Sequence, residues 1–216
     1  MAWMGAKFLY VGAMLSGLVA AQVPLDQEPR HHLEFANEWL RVISPRIPPG
    51  DTTLEHLHSH DDATVCIHGS EIRAKQPGAE WSSAGTACVP GRTGVSEYTG
   101  MPRSHTVQNV GSGLYHLVLV ENLRESGWKS SQPLLAAGMT MTKESRSFRI
   151  YETELSSSSG VAHSHEVPAV VILVSGEATT GNKRLDQPGS WAYIPAGDKH
   201  QIAAQGKARL IEIEVR

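Results

Sequence analysis

The sequence predicts an all-β chain made of two tandem copies of one β unit, and three observations carry that prediction. A histidine pattern is written twice, first as His56-Leu57-His58 with His105 and then as His163-Ser164-His165 with His200. Around it run short segments rich in β-branched and aromatic residues, broken by clusters of glycine, proline and serine. The copies also share a register: His56 and His163 stand 107 positions apart, and each pair is followed at eleven residues by a glycine, Gly69 or Gly176.

Taken in chain order, residues 1–21 read as a secretory signal peptide. Lys7 precedes an uncharged stretch from Phe8 to Ala21 that closes on small residues, the charged, apolar, small order of such signals. Cleavage after Ala21 leaves Gln22 first, and the stretch is shorter than the roughly 20 apolar residues that span a bilayer. The expectation is export, to the periplasm or outside the cell, with no stable membrane insertion after cleavage. Residues 22–34 are an N-terminal segment, and the first unit covers 35–122, with strands at Leu40 to Ile43, Thr64 to Ile67 and Leu114 to Val120. A linker at 123–145 holds the best helical stretch, a short one from Pro133 to Gly138. The second unit, 146–216, has strands at Phe148 to Leu155, Val170 to Val174, Trp191 to Ile194 and Ala208 to Val215. In the last of these Ile211, Ile213 and Val215 share one face and Glu212 and Glu214 the other, as in a strand with one buried side.

Composition narrows the function. At 216 residues, 40% apolar and 19% charged, the chain is ordinary for a globular protein. A net charge of −3, with no basic run and few aromatic residues, argues against a nucleic-acid partner and leaves a small-molecule ligand or substrate. Cys66 and Cys88 make an even count in an exported chain, which favours a disulfide over two buried thiols. Neither has the helix start or basic neighbour that activates a nucleophile.

The histidines carry the chemistry. Residues two apart in a strand point to one face, so His56 with His58, and His163 with His165, enter one interior each. A third histidine from another strand completes a set of nitrogen donors with positions left open, suited to a divalent transition metal: Fe, Mn, Zn, Ni or Cu. His60, two beyond His58, makes His58-Ser59-His60 a rival pair, although only His56 and His58 keep the eleven-residue distance to glycine. His31, His32, His68 and His116 are read as hydrogen-bonded core or surface residues.

These residues resemble the cupin superfamily. Its first motif, G-x5-H-x-H-x3,4-E-x6-G, is matched by Gly50, His56, His58, Asp62 and Gly69, with Asp in the Glu place. Its second, G-x5-P-x-G-x2-H-x3-N, is matched by Gly189, Pro195, Gly197 and His200, with Ala204 for Asn. The first half keeps His105 and Asn109 but reads Gly100-Met101-Pro102 in place of Pro-x-Gly; the second half has Ser157 for the opening glycine and Ala169 for the carboxylate. The resemblance spans nearly all of 35–216 and implies two tandem cupin barrels of the double-stranded β-helix, jelly-roll type: a bicupin. It implies metal ligands among His56, His58, His60, Asp62 and His105 in the first barrel, and His163, His165 and His200, without a carboxylate, in the second. It further implies a metal-dependent enzyme of dioxygenase, isomerase or decarboxylase type acting on a small organic molecule; Asp62, Glu97 and Tyr98 are the nearest acid or base candidates in the sequence, with Glu97 and Tyr98 also readable as ordinary loop surface. The alternative is a non-catalytic protein that binds a metal or small ligand. Cupins commonly pair through sheet edges, and an internal duplication meets that need within one chain, so a homodimer and a monomer both stay open.

Overall fold

A computed structural model describes residues 22–86, 88–124 and 132–216, so the expected signal peptide at 1–21 lies outside the described residues. The first half contains β1 (Val23–Pro24), a 3-10 turn (Leu25–Gln27), β2 (His31–Ala36), β3 (Leu40–Ile47), β4 (His56–His58), β5 (Asp62–His68), β6 (Glu71–Lys75), β7 (Gly85–Thr86), β8 (Thr93–Ser96), β9 (Arg103–Asn109) and β10 (Tyr115–Asn122). The second contains β11 (Met139–Glu144), β12 (Phe148–Ser156), β13 (Ala169–Ser175), β14 (Ala178–Thr180), β15 (Lys183–Leu185), β16 (Trp191–Ile194), β17 (Ile202–Ala204) and β18 (Lys207–Val215). The expected strands are all present, several of them longer at one end than their apolar runs.

Each half is built from two sheets. In the first they are β1-β4-β9-β6-β7 and β2-β3-β10-β5-β8; in the second, β11-β12-β18-β13-β16 and β15-β14-β17. Sheet β2-β3-β10-β5-β8 of the first half and sheet β11-β12-β18-β13-β16 of the second stand back to back. Alternate residues of β3, β5 and β10 (Leu40, Val42, Ala63, Val65, Val118, Val120) form one apolar core with alternate residues of β12, β13 and β18 (Phe148, Ile150, Val170, Ile172, Ile211, Ile213). Each Val, Leu, Ile or Phe side chain among them contributes about 1.5–3 kcal/mol when removed from water, so this shared layer ties the two halves together.

That layer corrects the reading of β18. Ile211, Ile213 and Val215 do share a face, but it packs on the other half, and the opposite face is buried too: Glu212 is 0% and Glu214 2% exposed. Their face turns into the second barrel, so from Leu210 onward β18 has no solvent side. Inside that barrel Leu155, Val171, Leu173, Leu185, Ile202 and Leu210 form a second core, and Leu25, Ile43 and Leu119 form a smaller one inside the first.

The N-terminal residues are integral to the first barrel. β1 pairs in parallel with β4, β2 pairs antiparallel with β3, and Leu25 fills space against Ile43 and Leu119. Of the linker, Met139–Glu144 is strand β11, paired antiparallel with β12. The helix expected at Pro133 to Gly138 does not form: the segment is irregular and ends in a turn where Met139 N donates to Ala136 O at 3.1 Å. Six residues cannot nucleate a helix unaided, and Gly138, at φ +84°, leaves the helical region. Cys66 and Cys88 are joined as a disulfide, with Cα atoms 5.9 Å apart.

The shared glycines mark close approaches of backbone. At Gly176, φ +83°, a Cβ would lie 2.1 Å from Lys207 O, and at Gly69 it would lie 2.0 Å from Cys88 O. No larger residue fits either turn.

Candidate metal centres

The second barrel brings three histidines and one carboxylate to a point. His163 and His200 are paired across an isolated bridge ahead of and behind β16, His165 follows His163 by two residues, and Glu212 arrives from the middle of β18. Oε2 of Glu212 lies 3.2 Å from Nε2 of each of His163, His165 and His200. Donors about 2.0–2.2 Å from a shared ion stand about 3 Å apart, so this is the spacing of a ligand set.

The rings are aimed by their other nitrogens. His163 Nδ1 donates to Val161 O at 2.9 Å, and His165 Nδ1 donates to Glu214 Oε1 at 2.9 Å. Glu214 is fixed in turn by Tyr151, whose hydroxyl donates to Oε2 at 3.1 Å. Burial pushes the His165 imidazole down, but its bonds to Glu212 and Glu214 outweigh that and raise it to about 9. His163 is likewise raised, its bond to Glu212 prevailing over burial. Burial would push Glu212 up, but the three histidines hold it well below the usual carboxylate range. Without an ion, Glu212 favours the protonated forms of His165 and His163; a bound ion would take the place of those protons.

In the first barrel His56, His58 and His105 converge, their ligand atoms within 4.8 Å of one another. His56 and His105 are direct partners across β4 and β9, and Nε2 of His58 stands 3.3 Å from Nε2 of His105. His56 Nδ1 donates to Leu54 O at 2.9 Å, repeating the His163 arrangement, and His58 Nδ1 donates to Asp62 Oδ2 at 3.0 Å. Among the described residues no carboxylate joins them. Glu121 pairs with Arg41 and Asp62 as Glu214 pairs with Arg149 and Ala169, so two residues earlier Leu119 holds the place of Glu212. Burial lowers His56 to about 2 and His105 to about 4, leaving both neutral and ready to donate at pH 7.

Both clusters leave polar atoms that a metal would satisfy. His56 Nε2 and Glu212 Oε1 are buried without a hydrogen-bond partner, a state that costs about 1–3 kcal/mol per group. Nitrogen donors with at most one carboxylate, and carbonyl or carboxylate acceptors behind the rings, suit a divalent transition ion.

No protein-family model matches the sequence, and no curated protein matches it. Solved structures do. A cupin 2 conserved barrel domain protein from Leptotrichia buccalis aligns with a TM-score of 0.53 at 11% identity, over 84% of this chain and 86% of that one. The chain has the cupin fold. The nickel(II) complex of the pirin YhhW from Escherichia coli aligns at 0.58 and 13% identity, over 86% and 90%. Salicylate 1,2-dioxygenase from Pseudaminobacter salicylatoxidans aligns at 0.57 and 10%, over 82% and 71%.

Within this cupin fold the structure gathers His56, His58 and His105 in one cluster and His163, His165 and His200 in the other. His60 is outside the first: its ring faces Ser59 Oγ at 3.2 Å and Glu121 Oε1 at 3.8 Å, because the chain leaves β4 at His58 and alternation ends there. Asp62, in the Glu place of the first motif, sits behind His58 at Nδ1 and orients it. The second cluster is not free of carboxylate, as Ala169 implied; Glu212 supplies one from β18. Glu97 is exposed beside Arg146, at 3.9 Å, away from the histidines, whereas the Tyr98 ring lies 4.9 Å from that of His58. His31 is buried, donates Nδ1–H to Glu28 at 2.5 Å and packs its ring 4.5 Å from that of His56. His68 and His116 are hydrogen bonded to Leu114 O and Ser44 Oγ, outside both clusters.

Each cluster opens through its third histidine. Beside His200 is a cavity of about 430 Å³ that includes Lys183, Tyr193, Asp198 and Lys199. Beside His105 is one of about 400 Å³ that includes Lys75, Glu80, Tyr98, Arg103 and Ser104. Glu212, Glu214 and Leu119 were not legible as site residues, because alternation tells which residues share a face and not what covers it.

Proposed function

We propose that this chain is an exported, metal-dependent bicupin enzyme of oxygenase, isomerase or decarboxylase type that acts on a small organic molecule. One divalent ion would sit in each centre, with turnover at the second. The observation that carries this is the single Glu212 oxygen at 3.2 Å from three histidine Nε2 atoms, with a cavity of about 430 Å³ beside His200 for the molecule acted on. A bound ion would supply Lewis acidity, polarising an oxygen of that molecule. The chain's own residues do the rest. Glu214 and Val161 O fix the rings of His165 and His163, Ile194 and Ala192 line the cavity with apolar surface, and Glu212 would hold the ion together with the three histidines. The nickel-bound pirin and the salicylate dioxygenase, similar in fold, support a metal and a small substrate. Export is supported by the order Lys7, uncharged stretch, small residues and by the Cys66–Cys88 disulfide.

The test is turnover by the ion-loaded chain against a panel of small carboxylic acids, phenols and sugars, followed by oxygen uptake and product mass. Glu212→Gln is expected to retain the fold and lose turnover; a Glu212→Gln chain as active as the unaltered one would overturn the reading. Intact mass of the exported chain is expected to place its first residue at Gln22.

A further inference from the structure

A histidine that gives its Nε2 lone pair to an ion carries its proton on Nδ1, and the ring is aimed by whatever accepts that proton. In the second centre Val161 O serves His163 and Glu214 serves His165. Nδ1 of His200, however, is buried without a hydrogen-bond partner. Oε1 of Glu212 is buried and unpartnered as well.

Two more buried atoms of this barrel share that state, and both are hydroxyls: Oγ1 of Thr153 and Oγ1 of Thr180, on residues each 3% exposed. Their places follow from strand register. Thr180 of β14 stands opposite Ile202 of β17, and His200 lies two residues before Ile202. Thr153 of β12 stands opposite Leu210 of β18, and Glu212 lies two residues beyond Leu210. Residues two apart share a face, so each threonine is the diagonal neighbour of one member of the ligand set. Diagonal neighbours lie about 7–8 Å apart, a gap that aromatic and long side chains bridge. The chemistry pairs them in the same way. A hydroxyl can accept from the Nδ1–H of His200, and a hydroxyl can donate to Oε1 of Glu212, whose two lone-pair directions leave room for it beside an ion.

The first barrel has neither hydroxyl. Ala74 stands opposite Val107, two residues after His105, in the place of Thr180, and it lines the first cavity as Thr180 lines the second. Ile43 pairs with Leu119 as Tyr151 pairs with Glu212, so Pro45 holds the place of Thr153. Three inward positions that are Thr153, Thr180 and Glu212 in one barrel are Pro45, Ala74 and Leu119 in the other. Burying a hydroxyl without a partner is costly, and here both hydroxyls stand in the barrel that has the carboxylate.

We propose that Thr153 and Thr180 are positioning residues of the second centre: the Thr180 hydroxyl accepts the Nδ1–H of His200, and the Thr153 hydroxyl donates to Oε1 of Glu212. A turn about χ1 aims either hydroxyl without moving the backbone. This rests on the metal reading above and adds to it the two residues that hold His200 and Glu212 in place.

The test uses the purified His58→Ala chain, which keeps the second centre, loaded with cobalt(II), whose visible absorption reports its ligands. Cobalt affinity is read by competition with a chelator, and the urea midpoint is read separately with the metal removed. Valine has the shape of threonine without the hydroxyl. Thr153→Val and Thr180→Val are each expected to weaken cobalt by about 10- to 100-fold, the range of a lost outer partner, and to alter its spectrum. The metal-free midpoint should hold or rise, because a buried unpartnered hydroxyl has given way to a methyl group. Thr153→Ser and Thr180→Ser should recover most of the lost affinity, and alanine at either place, read against serine, repeats the comparison with no bulk added. In the His165→Ala chain, which keeps the first centre, the same substitutions should leave cobalt affinity unchanged. Affinity unchanged in a valine variant of the His58→Ala chain, or lowered together with the metal-free midpoint and not recovered by serine, overturns that threonine's role and leaves the metal reading intact. Cobalt absent from the His58→Ala chain itself overturns the metal reading of the second centre and the proposal with it.

Discussion

Glu212 and Leu119 occupy the same place in two copies of one strand, and that exchange decides how the two clusters differ. A carboxylate at this place raises His163 and His165 against the effect of burial, whereas beside a leucine burial lowers His56 and His105. Support behind the rings then matters as much as the ligands, since outer partners typically tune metal affinity by about 10- to 100-fold. Glu214→Gln is expected to weaken metal binding at the second centre by that range while the first is unaffected, read by competition with a chromophoric chelator. Protonation follows the same division. Burial holds His105 and His116 down at about 4, below the roughly 6.5 of an unfolded histidine, so stability is lost as pH falls from about 6.5 towards 4. His165 is raised to about 9, Glu212 and Glu214 overcoming the effect of burial, so its contribution is complete below about 6.5 and is lost as pH rises through about 9. In the presence of chelator, the urea midpoint should therefore be highest near pH 6.5; a midpoint still rising at pH 9 would contradict this. The two His-x-His pairs were legible from spacing, although His60 stayed a rival of His56, and His105 and His200 were legible only as the distant histidine of each half. Asp62 was legible as belonging near His58 but not as its support, since a motif gives neighbourhood and not which ring nitrogen is touched.

At the scale of elements, strand positions followed from β-branched runs and turn residues, and one strand shows where that logic stops. β18 alternates apolar and acidic residues as an exposed strand would, yet both faces are covered, one by the other half and one by its own barrel. The failed helix at Pro133 to Gly138 has the simpler cause of being too short to form without a partner surface. Turns are more exacting. Gly176→Ala combines a positive φ with a Cβ 2.1 Å from Lys207 O, and an expected loss of about 1–3 kcal/mol would appear as a lower urea midpoint; an unchanged midpoint would mean that the turn yields freely. The Cys66–Cys88 link spans 22 residues, for which loop-closure entropy gives about 3 kcal/mol. Reduction should lower the midpoint accordingly without changing the metal content of the second centre.

Across the whole molecule, the sheets that hold β3 and β12 stand back to back, so that the apolar layer shared by β3, β5, β10, β12, β13 and β18 serves both barrels. Further ties cross the boundary: Arg146 donates to Asp61 at 2.8 and 3.0 Å, and Asn122 Nδ2 donates to Arg216 O at 2.7 Å. The halves should melt together in one calorimetric transition, and Ile211→Ala should destabilise both by about 2–5 kcal/mol; two separable transitions would contradict a shared core. The repeat made this all-β, two-barrel layout legible, because each copy carries its own turns and histidines. It could not show that the copies pack through their strongest apolar faces, since sequence periodicity does not name a partner. Under the proposed function each barrel would hold its own divalent ion, which metal analysis of the gently purified chain beside His58→Ala and His165→Ala would detect. Two ions per chain, falling to one in either variant, is the predicted result, and metal content unchanged in both variants would contradict it.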